Sequence, residues 1–88
     1  MKIKKGYIKT KTFDGWAVTA VEKESLKNRI MLTLNETASE IWDMLAEGKS
    51  TDEIVSQLSQ KYDIPTKQAQ NGVALVTDTL LREGVLEE

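Results

Sequence analysis

The residue types that most often do chemistry are scarce in this sequence. Its 88 residues include no histidine and no cysteine. That removes the commonest general base near neutral pH and the thiolate as nucleophile or zinc ligand. Serines are present, but no histidine can activate them, and no Ser–Lys pair stands at a convincing spacing. Adjacent carboxylates occur at Asp52-Glu53 and Glu87-Glu88. One pair falls at a helix start and the other at the end of the sequence, where a helix-dipole role or a solvated tail explains them better than acid–base catalysis. The five glycines are scattered over turns and caps rather than gathered in a phosphate-cradling loop. No EF-hand spacing is present. The composition points away from independent catalysis, and neither a metal nor a cofactor is expected.

What remains must come from organisation and surface. A chain of this length makes one domain, residues 1–88, with a single modest core. No apolar run approaches the roughly 20 residues that span a bilayer, so no membrane partner is expected. The opening "MKIKKGYIKTK" is basic but lacks the apolar stretch of a secretory signal. Together with the missing cysteines this fits a cytoplasmic protein. The net charge of −2 hides an asymmetry: residues 1–33 carry eight Lys/Arg against three Asp/Glu, residues 34–88 four against eleven. The basic third could attract an acidic partner. The simpler expectation is that its lysines decorate exposed strands and edges, where they discourage aggregation.

The basic third alternates as strands do. "GYIKTKT" (Gly6–Thr12) interleaves β-formers with polar residues, and Asp14-Gly15 is a hairpin-turn dipeptide leading into "WAVTAVEK" (Trp16–Lys23). Trp16, Val18 and Ala20 share one face of that strand. "ESLKN" (Glu24–Asn28) reads as a second turn. "RIMLTL" (Arg29–Leu34) then places Ile30, Leu32 and Leu34 on one face and Met31 and Thr33 on the other. The result is a three-stranded antiparallel meander over about residues 6–34.

Three helices follow over about residues 35–84. Asn35 is suited to cap the first, with Glu36 at its positive end and Leu34, Ala38, Ile41, Trp42 and Leu45 at helical spacing. Gly48 stops it. Ser50 and Glu53 make the capping-box spacing of the second helix, whose stripe is Ile54, Leu58 and Tyr62. Pro65 breaks the chain, and Thr66 is placed to cap a third helix from about Lys67 to Glu83. Its core stripe is Ala69, Val73, Val76 and Leu80, and Gly84 ends it. Val85-Leu86 either returns to the sheet or packs beneath it. Three short helices with a small antiparallel sheet make an α+β, winged-helix-like arrangement.

The third helix also carries a second line, Gly72, Leu75 and Thr79, with Leu75 roughly 120° from the core stripe on a wheel of 100° per residue. Gly72 is costly inside a helix, by about 1 kcal/mol against alanine. It would let another backbone approach closely. The plainer alternative is that this line packs on the sheet and Gly72 relieves a tight crossing.

The segment "LNETASEIWDMLAEGKSTDEIVSQLSQKYDIPTKQAQNGVALVTDTLLREGVL" (Leu34–Leu86) resembles the PqqD family, the small proteins named for pyrroloquinoline quinone biosynthesis. The matching features are the Leu-Asn-Glu-Thr-Ala opening with Ile41-Trp42, the stop at Gly48, Thr51 with Glu53-Ile54 and Leu58, the Tyr62-Asp63-Ile64 break, and the closing Leu80, Gly84 and Leu86. The resemblance implies a RiPP recognition element, a non-catalytic peptide chaperone that binds the leader of a ribosomally made precursor peptide and presents it to a modifying enzyme, often a radical SAM protein. It implies that the leader adds as a strand beside Arg29, Ile30, Met31, Leu32 and Thr33, and lies against a helix wall of Gln68, Gly72, Leu75 and Thr79. Family members commonly carry Asp where Gly72 stands. Nothing in these residues selects the quinone pathway over another peptide product. On the same reading, the first helix scaffolds the receiving strand rather than touching the peptide extensively.

The alternative reading is a winged-helix DNA-binding protein. The third helix offers Lys67 and Arg82, offset by Asp78 and Glu83, on a strongly acidic helical half. That balance argues against a nucleic-acid partner. An open strand edge could also pair with a second copy as a homodimer.

Overall fold

The computed structural model describes residues 1–20 and 29–87; the side chains of Arg29, Ile30 and Met31 lie outside that description. The strands are β1 (Lys2–Ile3), β2 (Tyr7–Thr12), β3 (Gly15–Ala20), β4 (Arg29–Leu34) and β5 (Leu86–Glu87). The helices α1 (Glu36–Ala46), α2 (Thr51–Tyr62) and α3 (Thr66–Arg82) fall between β4 and β5. The expected meander is present as an antiparallel sheet in the order β2-β3-β4. The expected turn at Glu24–Asn28, and the continuation of the strand through Lys23, lie outside the described residues.

Two features differ from the sequence reading. The first concerns the β2–β3 hairpin. Thr12 pairs with Gly15, so the two turn residues are Phe13 and Asp14 rather than Asp14 and Gly15. Gly15 is the first residue of β3 and has no positive φ. Its lack of a side chain serves contact instead: a Cβ there would lie 2.6 Å from the Leu34 carbonyl oxygen. The second concerns the chain ends. β1 pairs with β5 (Lys2 with Glu87, Ile3 with Leu86) in a separate ribbon, extended by a bond from Lys4 N–H to Val85 O at 2.8 Å. Val85 and Leu86 enter the core from this ribbon, not from the main sheet.

Local chemistry accounts for the helix boundaries. The Asn35 side chain accepts from the Ala38 N–H at 2.8 Å and caps α1. Ser50 and Glu53 form the capping box in both directions, at 3.2 and 3.4 Å. Asp63, with φ 51°, ends α2 in the left-handed region, and Ser59 ties down the loop by donating to Ile64 O at 2.6 Å. Thr66 is not the cap of α3: the helix begins on it, with Pro65 at the cap position and no side-chain bond. Proline's fixed φ, here −58°, starts the helix without a cap.

The core gathers Val18 and Leu34 from the sheet, Ile41, Trp42 and Leu45 from α1, Ile54, Val55 and Leu58 from α2, and Ala69, Val73 and Leu80 from α3. Trp16 packs against it, partly buried. Among the described residues two polar side chains share the interior. Thr77 is buried beside the expected stripe, its hydroxyl donating to Ala74 O at 3.2 Å, while Val76 is partly buried and packs against the core. Ser39 is buried because Lys9 reaches it, donating to its Oγ at 2.6 Å.

Lys9 is the exception to the expected decoration of edges by lysine. Its side chain is only 10% exposed, pairs with Asp43 at 2.6 Å, and lies 4.3 Å from the Trp16 ring centroid. Lys11 is exposed and pairs with Glu36 at 2.5 Å. Both link β2 to α1. They pair the positive charge of these two lysines with acidic groups of the same chain, Lys9 largely buried and Lys11 exposed.

Urea denaturation checks these assignments. Trp42→Ala is expected to cost about 3–5 kcal/mol, Asn35→Ala about 1 kcal/mol, and Gly15→Ala about 1–3 kcal/mol because backbone must move to admit its Cβ.

Candidate functional site

β4 is an edge strand. Its inner side pairs with β3, from Trp16–Leu34 to Ala20–Arg29, and among the described residues no strand pairs with its outer side. Between Val18 and Thr19 the register steps from Leu32 to Ile30, passing over Met31. Such a bulge bends the strand and increases its twist.

A groove separates β4 from α3. One part, about 230 Å³, is lined by Leu32, Thr33 and Leu34 of β4, Asn35 and Ala38, and Leu75, Val76, Thr79 and Leu80 of α3. The other, about 430 Å³, lies beyond the end of β4, among Asn35, Thr37, Ala38 and Ile41 at the start of α1, Leu58, Tyr62 and Ile64 around the end of α2, and Gln68, Ala69, Gly72, Leu75 and Val76 of α3. Asn35, Ala38, Leu75 and Val76 border both, so the two parts are continuous. No charged side chain lines either part.

The sequence-derived wall is here. Gln68, Gly72 and Leu75 line the larger part, and Leu32, Thr33, Leu75 and Thr79 the smaller. Leu75 is 69% exposed and borders both parts of the groove. The line Gly72–Leu75–Thr79 therefore does not pack on the sheet, and Gly72 relieves no tight crossing: a Cβ on it would meet nothing within 4 Å. Arg29, Ile30 and Met31 are on β4, placed by their backbone.

The sequence reading missed the opposite wall. It gave α1 a scaffolding role, yet Asn35, Thr37, Ala38 and Ile41 line the groove. The signal was present: Asn35 follows the last residue of β4 directly, so the first turn of α1 must border whatever lies along that strand. Tyr62, expected in the core stripe, is 41% exposed and forms part of the wall. Its hydroxyl donates to Glu40 Oε2 at 2.7 Å, and Lys61 donates to Glu40 Oε1 at 2.6 Å.

Glu40 thus ties α1 to the end of α2 at the rim of the groove. Burial pushes its carboxyl up, but the bonds from Lys61 and Tyr62 outweigh that and hold it below the usual Glu range. The same bond to Glu40 holds the Tyr62 hydroxyl above the usual phenol range. A separate recess of about 230 Å³ between α1 and α2 is lined by Glu40, Asp43 and Lys61, with Met44, Gln57 and Leu58. Its charged groups are already paired within the chain, and it borders no strand.

Comparison with known proteins bears on this arrangement. The family model described as coenzyme PQQ synthesis protein D (PqqD) matches residues 18–86. The chain belongs to the PqqD family. PqqD-like recognition elements are in general binding proteins rather than catalysts. The fold is similar to a solved structure described as TbiB1 in complex with the TbiA(beta) leader peptide. That similarity has a TM-score of 0.78 at 22% identity, over 99% of this chain and 95% of that one. It establishes a common fold. No curated protein is significantly similar in sequence. Among the described residues no group of three or more acidic, histidine or cysteine side chains could hold a metal, and no helix is long and apolar enough to cross a membrane.

The Glu40 contacts have a pH signature. A carboxyl lowered in the folded state contributes stability that is fully present above its unfolded value, about 4.3, and is lost as pH falls through the folded value. Denaturation midpoints followed from neutral pH into the carboxylate range are expected to fall less steeply for Glu40→Gln than for the wild type.

Proposed function

We propose that this chain is a non-catalytic adaptor that binds the leader of a ribosomally made precursor peptide and presents it to a modifying enzyme. Residues 1–88 act as one binding domain. The observation that carries the reading is the outer edge of β4, unpaired among the described residues, beside an uncharged, largely apolar groove in a chain of the PqqD family. An extended peptide added to that edge would gain main-chain hydrogen bonds from Arg29–Thr33, while Gln68, Gly72, Leu75 and Thr79 would read its side chains. TbiB1, a neighbour in fold, was solved with a leader peptide; transfer of that role to this chain belongs to the proposal. So do a radical SAM enzyme as the partner and the cytoplasm as the place of action. Tethering peptide and enzyme together raises the local concentration of substrate without any chemistry by the adaptor.

The DNA-binding alternative is weakened by charge. Lys9 and Lys11, the cations on one face of β2, are paired with Asp43 and Glu36. The helical half carries four Lys/Arg against eleven Asp/Glu.

Fluorescence anisotropy with the leader of a short peptide encoded beside this protein tests the reading. Binding is expected to change little with salt, since the groove is uncharged, and Leu75→Asp is expected to weaken it about tenfold or more. The substitution should leave stability within about 0.5 kcal/mol, because Leu75 is exposed. No binding to the leader, with tight binding to duplex DNA that falls steeply with salt, would overturn the proposal.

A further inference from the structure

Gly72 lies inside α3, a helix of 17 residues, where glycine is the least favourable residue after proline. A glycine is required where φ is positive, but the positive-φ glycines are Gly6, Gly48 and Gly84. It is also required where a neighbour approaches too closely for a Cβ. Gly15 is such a case, and Gly72 is not, since open space surrounds its missing Cβ. That space belongs to the larger part of the groove, about 430 Å³, whose lining carries no charge.

We propose that Gly72 is a specificity-determining residue that keeps this part of the groove open for one large, uncharged side chain of the bound peptide. The proposal rests on the peptide-binding reading above. A cavity of this size lies within the range, about 300–1,000 Å³, of pockets that enclose small ligands, and it has room for a bulky side chain. A charged side chain would lose its hydration there without a counter-charge in the lining. The Gln68 amide and the Thr37 hydroxyl, both in the lining, can meet a polar tip on an otherwise apolar group. A side chain at position 72 would project into the same space and compete for it.

The full chain and its Gly72→Leu and Gly72→Ala variants would each be presented with a display library of random short linear peptides. Wild-type protein is expected to select peptides with a large uncharged residue at one fixed position. Gly72→Leu is expected to bind those peptides about tenfold or more weakly and to select small residues at that position. Gly72→Ala is expected to raise Tm by about 4 °C, since the new methyl meets no neighbour and improves helix propensity. Undiminished binding of the wild-type peptides by Gly72→Leu would overturn the proposal and leave peptide binding intact. A lower Tm for Gly72→Ala would overturn it too, by showing a packing role. Failure of the wild-type chain to select any peptide would overturn both this proposal and the reading beneath it.

Discussion

Leu34 is the last residue of β4 and Asn35 caps α1 directly after it. No linker separates strand from helix, so the direction of one sets the direction of the other. The junction is held from both sides. Gly15 lets β3 close onto the Leu34 carbonyl, and the Asn35 side chain takes the Ala38 N–H as the chain turns. Leu34 is itself buried, as are Ile41, Trp42 and Leu45 behind it. Because α1 leaves β4 at this fixed angle, its first turn closes one wall of a groove whose other wall is α3. β4, an edge strand among the described residues, lies along the smaller part of that groove and leads toward the larger.

Charge arrangement supports the same geometry. Lys9 joins the sheet to α1 through Asp43 and Ser39, with the Trp16 ring beneath it. Glu40 joins α1 to the end of α2 through Lys61 and Tyr62. Exposed ion pairs contribute little to stability, so the second set matters chiefly for position: it holds Tyr62 at the groove. Between these contacts the groove lining is left without charge. A site of that kind discriminates through shape, main-chain hydrogen bonds and apolar burial more than through attraction at a distance.

Much of this was legible in the sequence, and the reasons are local. Asn35, and Ser50 with Glu53, announce helix starts through bonds made within one turn. Alternation in Tyr7–Thr12 and Arg29–Leu34 gave the strands, and the wheel position of Leu75 gave an outward apolar line on α3 that the structure leaves exposed. What stayed hidden depends on distant partners. The burial of Lys9 follows from acceptors about thirty residues away, on α1. β1 and β5 are two residues each, too short to show alternation, and exist because the chain ends meet. Gly15 looked like a turn residue because Asp-Gly favours tight hairpins. Its actual constraint, the Leu34 carbonyl, is set by strand pairing.

Amide hydrogen exchange along β4 tests the central claim most directly. In the free protein, the β4 amides that point away from β3 have no strand partner among the described residues and should exchange quickly, while those bonded to β3 are protected. With the leader peptide bound, the account predicts that the outward amides of Arg29–Thr33 become protected in the alternating pattern of an added strand. Saturating peptide that leaves those amides as exchangeable as before would contradict it.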